Sequence, residues 1–164
     1  MVLRNFYTIL MAKLMSTEAM PFVNYQGSKL TYSGNVSAGN MGFQEQMTLM
    51  QTSYNNKGVI FGDGDTPPTV DDYKLSGNVI TGLTGSCTQT CEHDDEQRSV
   101  TSVWTLTNNN ENDVTIRECA ILVGFNYQTI IERSVLDTPV TIPAGGIGQV
   151  TYTVTFVFPT STTT

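Results

Sequence analysis

Residues 148–158 read Gly-Gln-Val-Thr-Tyr-Thr-Val-Thr-Phe-Val-Phe. Val150, Tyr152, Val154, Phe156 and Phe158 share one face of an extended chain, and Thr151, Thr153 and Thr155 share the other. Extended backbone sends successive side chains to opposite faces, so strict period two over this length predicts a half-buried strand. The threonines are β-branched and suit the wet side of a sheet.

The same grammar extends back along the chain. Pro143-Ala-Gly-Gly146 is a turn. Thr129–Val135 is a returning strand, and Gly124–Tyr127 is the turn before it. Val114–Val123 is apolar on both faces, which places it at the centre of a sheet. Asn108–Asp113 is a turn-rich loop. Arg98–Leu106 sets Val100, Trp104 and Leu106 against Thr101, Val103 and Thr105. Gly58–Phe61 is a short apolar strand, Gln46–Thr52 alternates, and Lys29–Tyr32 is a strand inside an otherwise loop-like stretch at 22–45. Gly62–Leu75 holds two prolines and Gly62 and Gly64, so it is a structured loop, with Thr69 placed to cap one helical turn. Strands recurring without helical patterns between them predict a mainly β chain, an antiparallel β-sandwich.

The N-terminus differs. Leu3, Phe6, Tyr7, Leu10 and Leu14 recur at helical spacing, predicting a short N-terminal α-helix from Leu3 to about Ser16, closed by Met20-Pro21. A helix this short is marginal alone and must lean on something. It docks either on its own domain or on a neighbouring subunit, and those five residues are the candidate assembly interface. The domain reading is an arm at 1–21, a sandwich at 22–158 and a polar tail at 159–164. The Met1–Met15 stretch carries Arg4 and Lys13 without a clean small-residue cleavage site, and we read it as mature sequence.

Composition narrows the function classes. Charged residues are 14% of the 164, far below the roughly 25% of an average domain, and threonine and asparagine fill the gap. Such a surface suits contact with other proteins. The net charge is −7, and the eight Lys and Arg are scattered. That excludes the clustered cations nucleic-acid binding needs, and it disfavours anionic membrane surfaces. No apolar run approaches the roughly 20 residues of a membrane helix. The three cysteines, Cys87, Cys91 and Cys119, are too few and odd in number for a disulfide scaffold.

Candidate chemistry is sparse. Cys87, Cys91 and His93 form a weak metal-ligand set without a second ligand pair, and the plainer reading is a solvated polar loop. A Cys87–Cys91 disulfide is a further alternative. Cys119 reads as a small buried side chain in the central strand. Asp63, Asp65, Asp71 and Asp72 supply oxygens for calcium but lack EF-hand spacing, and turn acids capping backbone amides account for them. His93 is the sole histidine, and no nucleophile elbow or phosphate loop occurs. Glu118 and Glu132 could be set as a glycosidase pair. With Gly124–Tyr127 as a four-residue turn, however, Glu118 faces Arg133, an ordinary cross-strand ion pair. We expect no catalytic residues and no cofactor.

Two stretches carry a resemblance. One is Gly58-Val-Ile-Phe-Gly-Asp-Gly-Asp-Thr-Pro-Pro-Thr-Val-Asp-Asp-Tyr-Lys-Leu75. The other starts at Ile116-Arg-Glu-Cys-Ala-Ile-Leu122 and runs through Ile131-Glu-Arg-Ser-Val-Leu-Asp-Thr-Pro-Val-Thr-Ile-Pro-Ala-Gly-Gly146 into the last strand. Together, over roughly residues 58–157, they resemble small structural proteins of tailed bacteriophages and prophages. The resemblance implies a non-enzymatic virion component, at neck, tail, baseplate or capsid surface, assembled in the host cytoplasm. It implies a homo-oligomer with other virion proteins as partners, and neither nucleic acid nor membrane. The alternative is a β-sandwich module of a phage particle that binds a host surface or carbohydrate through its acidic loops. A small hydrolase or zinc protein is the remaining competitor.

Overall fold

Residues 148–157 of the alternating C-terminal stretch lie within a strand of eleven residues, Ile147–Val157, and their pattern is the one the burial follows. Val150 and Tyr152 are buried while Thr151, Thr153 and Thr155 are exposed. In the computed structural model, residues 1–7, 19–33, 58–93, 97–125 and 127–157 are described. Along the chain they form β1 (Ala19–Val23), β2 (Lys29–Ser33), β3 (Gly58–Gly62), β4 (Leu83–His93), β5 (Gln97–Asn108), β6 (Val114–Phe125), β7 (Tyr127–Ile142) and β8 (Ile147–Val157). The expected strand at Gln46–Thr52, together with Leu10, Leu14, Phe158 and the tail, lies outside the described residues.

Two antiparallel three-stranded sheets dominate, ordered β3-β6-β7 and β4-β5-β8, with β1 and β2 paired separately. The chain crosses between the large sheets at β3–β4, β5–β6 and β7–β8. Their facing sides meet in one core, which includes Phe61, Trp104, Ile116, Ile121, Ile142 and Val150. Phe61 and Trp104 meet edge to face at 6.1 Å, an arrangement that aligns ring edge with ring face. This is the antiparallel sandwich expected from the strand pattern.

The sheet β3-β6-β7 is buried on its other side too. Leu3, Ile60, Leu75, Ala120, Leu122 and Ile130 form a second core there, with Tyr25 and Val79 packed against it. The reading of β6 as central and apolar on both faces is therefore observed directly. The cover consists of the N-terminal residues, the β1–β2 turn and the 62–80 loop.

The described N-terminal residues pack on their own chain. Residues 4–7 make a helical turn, but Val2 bridges Glu132 of β7 in antiparallel fashion. Leu3 N donates to Ile131 O at 2.9 Å, and Arg133 N donates to Met1 O at 3.1 Å. Leu3 is fully buried in the chain's own second core and Phe6 packs against the inter-sheet core, so neither is open to a neighbouring subunit. Tyr7, at 54% exposure, is open. The expected boundary at residue 21 falls inside β1, where Pro21 occupies a two-stranded ribbon. Proline lacks an amide proton and is tolerated at such edges. Buried Asn5 ties these pieces together: its Nδ2 donates to Val23 O at 2.8 Å and to Ile130 O at 3.3 Å.

Cys87, Cys91 and His93, read as part of a polar loop, lie instead in β4, an edge strand paired residue by residue with β5. Its outward side is Thr84, Ser86, Thr88 and Thr90, so apolar alternation is weak. The β6–β7 register also differs from the expected one. Gly124 pairs with Gln128, Glu118 with Val135 and Ala120 with Arg133. Irregularities at Arg117 and at Ile131 displace the ladder. Beyond the first, β7 carries residues 136–139, including Pro139, with no pairing to β6. The Pro143–Gly146 turn is present, with Gly145 at φ 68°, a conformation glycine adopts without steric cost.

Asn108 latches the far end of the sandwich. Its buried Nδ2 donates to Asn112 O, Ile142 O and Pro143 O at 2.9–3.2 Å. Its Oδ1 accepts from Asn110 N at 3.0 Å. The Asn108→Ala substitution leaves these groups unpaired. We expect a loss of about 1–3 kcal/mol in unfolding free energy, read from the urea midpoint at unchanged slope.

Candidate functional site

The densest set of charged groups sits where the 62–80 loop crosses β6 and β7. Glu118 is 0% exposed and Arg133 2%. Arg133 Nε donates to Glu118 Oε2 at 2.7 Å. The other guanidinium nitrogens reach the loop: Nη1 to Asp72 Oδ2 at 2.5 Å and Nη2 to Thr66 O at 2.6 Å. Glu118 Oε2 also accepts from Ser76 N and Ser76 Oγ at 3.1 Å each, and Oε1 accepts from Gly77 N at 2.8 Å. The expected Glu118–Arg133 ion pair is thus observed, though in a shifted register. The two residues meet along a diagonal, within reach of long side chains on one sheet face.

Glycine makes this approach possible. A Cβ on Gly62 would press on Leu75 and Glu118, and one on Gly77 would run into the backbone of Gly64. The Gly62-Asp-Gly-Asp65 segment and Ser76-Gly77 therefore lie back to back over the Glu118 carboxylate.

The electrostatics agree with a structural clamp. Burial pushes the Glu118 carboxyl upward, but the Gly77 and Ser76 amides and then Arg133 outweigh it, and the net shift is downward. Asp72 behaves alike: burial raises it, while Thr69 and Arg133 bring it below its ordinary value. Thr69 N and Thr69 Oγ1 both donate to Asp72, at 2.9 and 2.7 Å. The cap therefore runs opposite to the expected one, with Asp72 accepting from Thr69. Asp63 accepts from Asn78 N at 2.6 Å, and Asp71 pairs with Arg4 at 2.6 Å on the surface. Three of the four calcium candidates are thus spent on amides and cations. Asp65 stays exposed.

Glu132, the other half of the set-aside carboxylate pair, faces the inter-sheet core. Its Oε1 accepts from Ser134 Oγ at 2.7 Å and lies 2.6 Å from Met1 N. Tyr152 Oη donates to Oε2. Burial, and then the nearby Glu132 charge, raise the Tyr152 phenol well above its usual value. Glu118 and Glu132 address opposite faces of the sheet, which no single substrate can bridge.

Cys119 is buried in the core, and burial raises its thiol far above the usual range. Cys87 is half-buried against the same core. Cys91 and His93 lie in β4, and their side chains are outside the described set. Extended backbone separates residues four apart by roughly 13 Å at Cα. No disulfide spans that distance, and one zinc ion cannot take both sulfurs. Among the described residues no group of three or more His, Cys, Asp and Glu converges as a metal site. Among them, too, no helix is long and apolar enough to cross a membrane.

Breaking the clamp from one side leaves a buried charge without its partner. We expect Arg133→Met to cost about 3–5 kcal/mol in urea unfolding. The pH dependence follows from the downward shifts of Glu118 and Asp72. Groups depressed in the folded state bind fewer protons there than when unfolded. Their contribution is complete above the ordinary carboxylate range, near pH 4, and disappears as pH falls through the folded values. Melting temperature should hold from neutral pH to about pH 5 and then fall, with a flatter acid limb in Glu118→Gln. Comparison with models of protein families, with curated proteins and with solved structures found no significant match to this chain.

Proposed function

We propose that the chain is a non-enzymatic structural component of a tailed-phage particle and works through protein–protein assembly. The observation that carries this reading is the clamp. The two stretches that resemble phage structural proteins, 58–75 and 116–146, are physically joined by the β3–β6 ladder and by Arg133, which reaches Asp72 and Thr66 and also holds Glu118. The ordered motif thus has a structural task, holding a loop onto a sheet. Glu118 and Asp72 are saturated by amides, hydroxyls and a guanidinium, which leaves them poorly suited to proton transfer. The outward side of β4-β5-β8 adds support. It presents Thr84, Thr88, Thr101, Thr105, Thr151 and Thr153, a threonine-rich surface with Glu92 at its end, on a chain of net charge −7. The carbohydrate- or host-surface reading draws on the acidic loop, where Asp63, Asp71 and Asp72 already have partners.

Mass spectrometry of particles purified from a host that encodes the chain tests this. The chain should copurify at many copies per particle and survive a high-salt wash. Absence from particles, with glycan-array binding lost in Asp65→Ala, overturns the proposal in favour of a binding module.

A further inference from the structure

Residues 63–78 leave the sheet and return to it at nearly one point. Gly62 bridges Val79. Asp63 N donates to Asn78 O at 3.2 Å, and Ile80 N donates to Phe61 O at 2.8 Å. Asn78 N and Nδ2 donate in turn to the Asp63 carboxylate, at 2.6 and 3.2 Å. Gly64 and Gly77 lie so close that a Cβ on Gly77 would run into the Gly64 backbone. The result is an Ω-loop, a closed neck beneath a compact tip. Pro67 and Pro68 stiffen the tip.

The tip, residues 65–76, is held down by few contacts, and most of them depend on an ionised carboxylate. Leu75 is its one buried residue and sits in the second core. Arg133 Nη1 donates to Asp72, and Nη2 donates to Thr66 O. Glu118 accepts from Ser76 N and Ser76 Oγ. Arg4 adds a surface pair with Asp71 and a backbone bond to Val70 O. The groups facing these carboxylates are Arg133 from β7, Tyr25 from the β1–β2 turn and Arg4 from the N-terminal residues, with Arg117 of β6 near Asp63 at the neck. The sandwich beneath is held differently. Its inter-sheet core is apolar around Phe61, Trp104, Ile121 and Val150. Glu132 accepts there from the Tyr152 and Ser134 hydroxyls, which need no charge on the carboxyl, and from the Met1 amine.

We propose that residues 65–76 form a lid hinged at this neck, closed on the second core while Asp72 and Glu118 are ionised and lifted as a unit when they are protonated, with both three-stranded sheets still paired. Charge sets the direction. Ionised, the two carboxylates flank the Arg133 guanidinium and compensate its buried charge. Protonated, they leave a buried cation with weakened partners, and raising the lid returns that cation to water. Both carboxyls lie below their ordinary values in the closed form. The lid therefore holds above the ordinary carboxylate range, about pH 4, and lifts as pH falls through the closed-state values. Lifting withdraws Leu75 and bares part of the apolar face that Ile60, Ala120, Leu122 and Ile130 form. Moving elements of this kind belong to the low-stability end of a fold. The device is a property of the chain's own fold and stands apart from the virion reading.

Amide hydrogen exchange of the full chain, resolved by NMR and corrected for intrinsic rates, tests this. Between about pH 6 and about pH 3, protection at Ser76 and Gly77 should fall at least tenfold more than at Trp104, Ile121 and Val150. Emission from Trp104, the sole tryptophan, should stay unshifted over that range. Asp72→Asn should reproduce the loss at Ser76 and Gly77 at neutral pH while β5, β6 and β8 keep their protection. Asp71→Asn removes only the exposed pair with Arg4 and should change protection less than twofold. Far-UV circular dichroism verifies the fold of each variant, and if Asp72→Asn does not fold, the pH series on the natural chain decides alone. Lid and sheet amides that lose protection together overturn the lid. So does a folded Asp72→Asn whose Ser76 and Gly77 amides stay as protected as in the natural chain.

Discussion

The buried contact between Glu118 and Arg133 is the constraint on which most of the chain depends. Moving a carboxylate and a guanidinium out of water is expensive, and their mutual attraction alone does not reliably offset it. Full hydrogen bonding changes the balance. Glu118 accepts from Ser76, Gly77 and Arg133, while Arg133 also reaches Asp72 and Thr66. The planar fork of arginine holds three acceptors at fixed angles. Any shift of the 62–80 loop, or of β6 against β7, strands a charge. The pair therefore selects one arrangement of loop and sheet, whatever its net contribution to stability.

From that arrangement follows the two-sided burial of β3-β6-β7. A loop with two prolines and many polar atoms would ordinarily remain at the surface. Here the clamp draws it down, and Leu75 and Val79 reach the second core. The N-terminal residues complete the cover, with Leu3 in that core and Asn5 bonded to β1 and β7. Close backbone approach at Gly62 and Gly77 explains why glycine occupies these positions. The sheet is thus covered on both faces, with Met1–Leu3 bonded along part of β7 and Asn78–Ile80 against the end of β3.

The other sheet has the opposite character. Its inner face holds Trp104, Leu106 and Val150, and its outer face is a threonine lattice. Thr101 and Thr153 hydroxyls meet at 3.0 Å across β5 and β8. One sheet is tied into its own chain and the other is turned outward.

The sequence by itself determined the strands whose neighbours differ sharply on their two faces. β8 is legible because water and core meet across it at every residue, and β6 because it is apolar throughout. The Glu118–Arg133 pairing is legible because opposite charges lie near each other across a short connection. Other features needed the folded molecule. β4 has a thin apolar side and a wet outer side, so its residues resemble a loop until β5 supplies the ladder. Pro21 reads as a helix stop, although a narrow ribbon can hold it. Leu3 and Phe6 read as a helical face seeking a partner, and that partner is the chain's own interior. The irregularities at Arg117 and Ile131 decide most. Each adds a residue that reverses facing, so Ile116 and Glu118 lie on opposite sides, as do Ile130 and Glu132. Arg133 therefore turns to the loop and Glu132 to the inter-sheet core. A bulge is a compromise among distant contacts, and local pattern carries no signal of it.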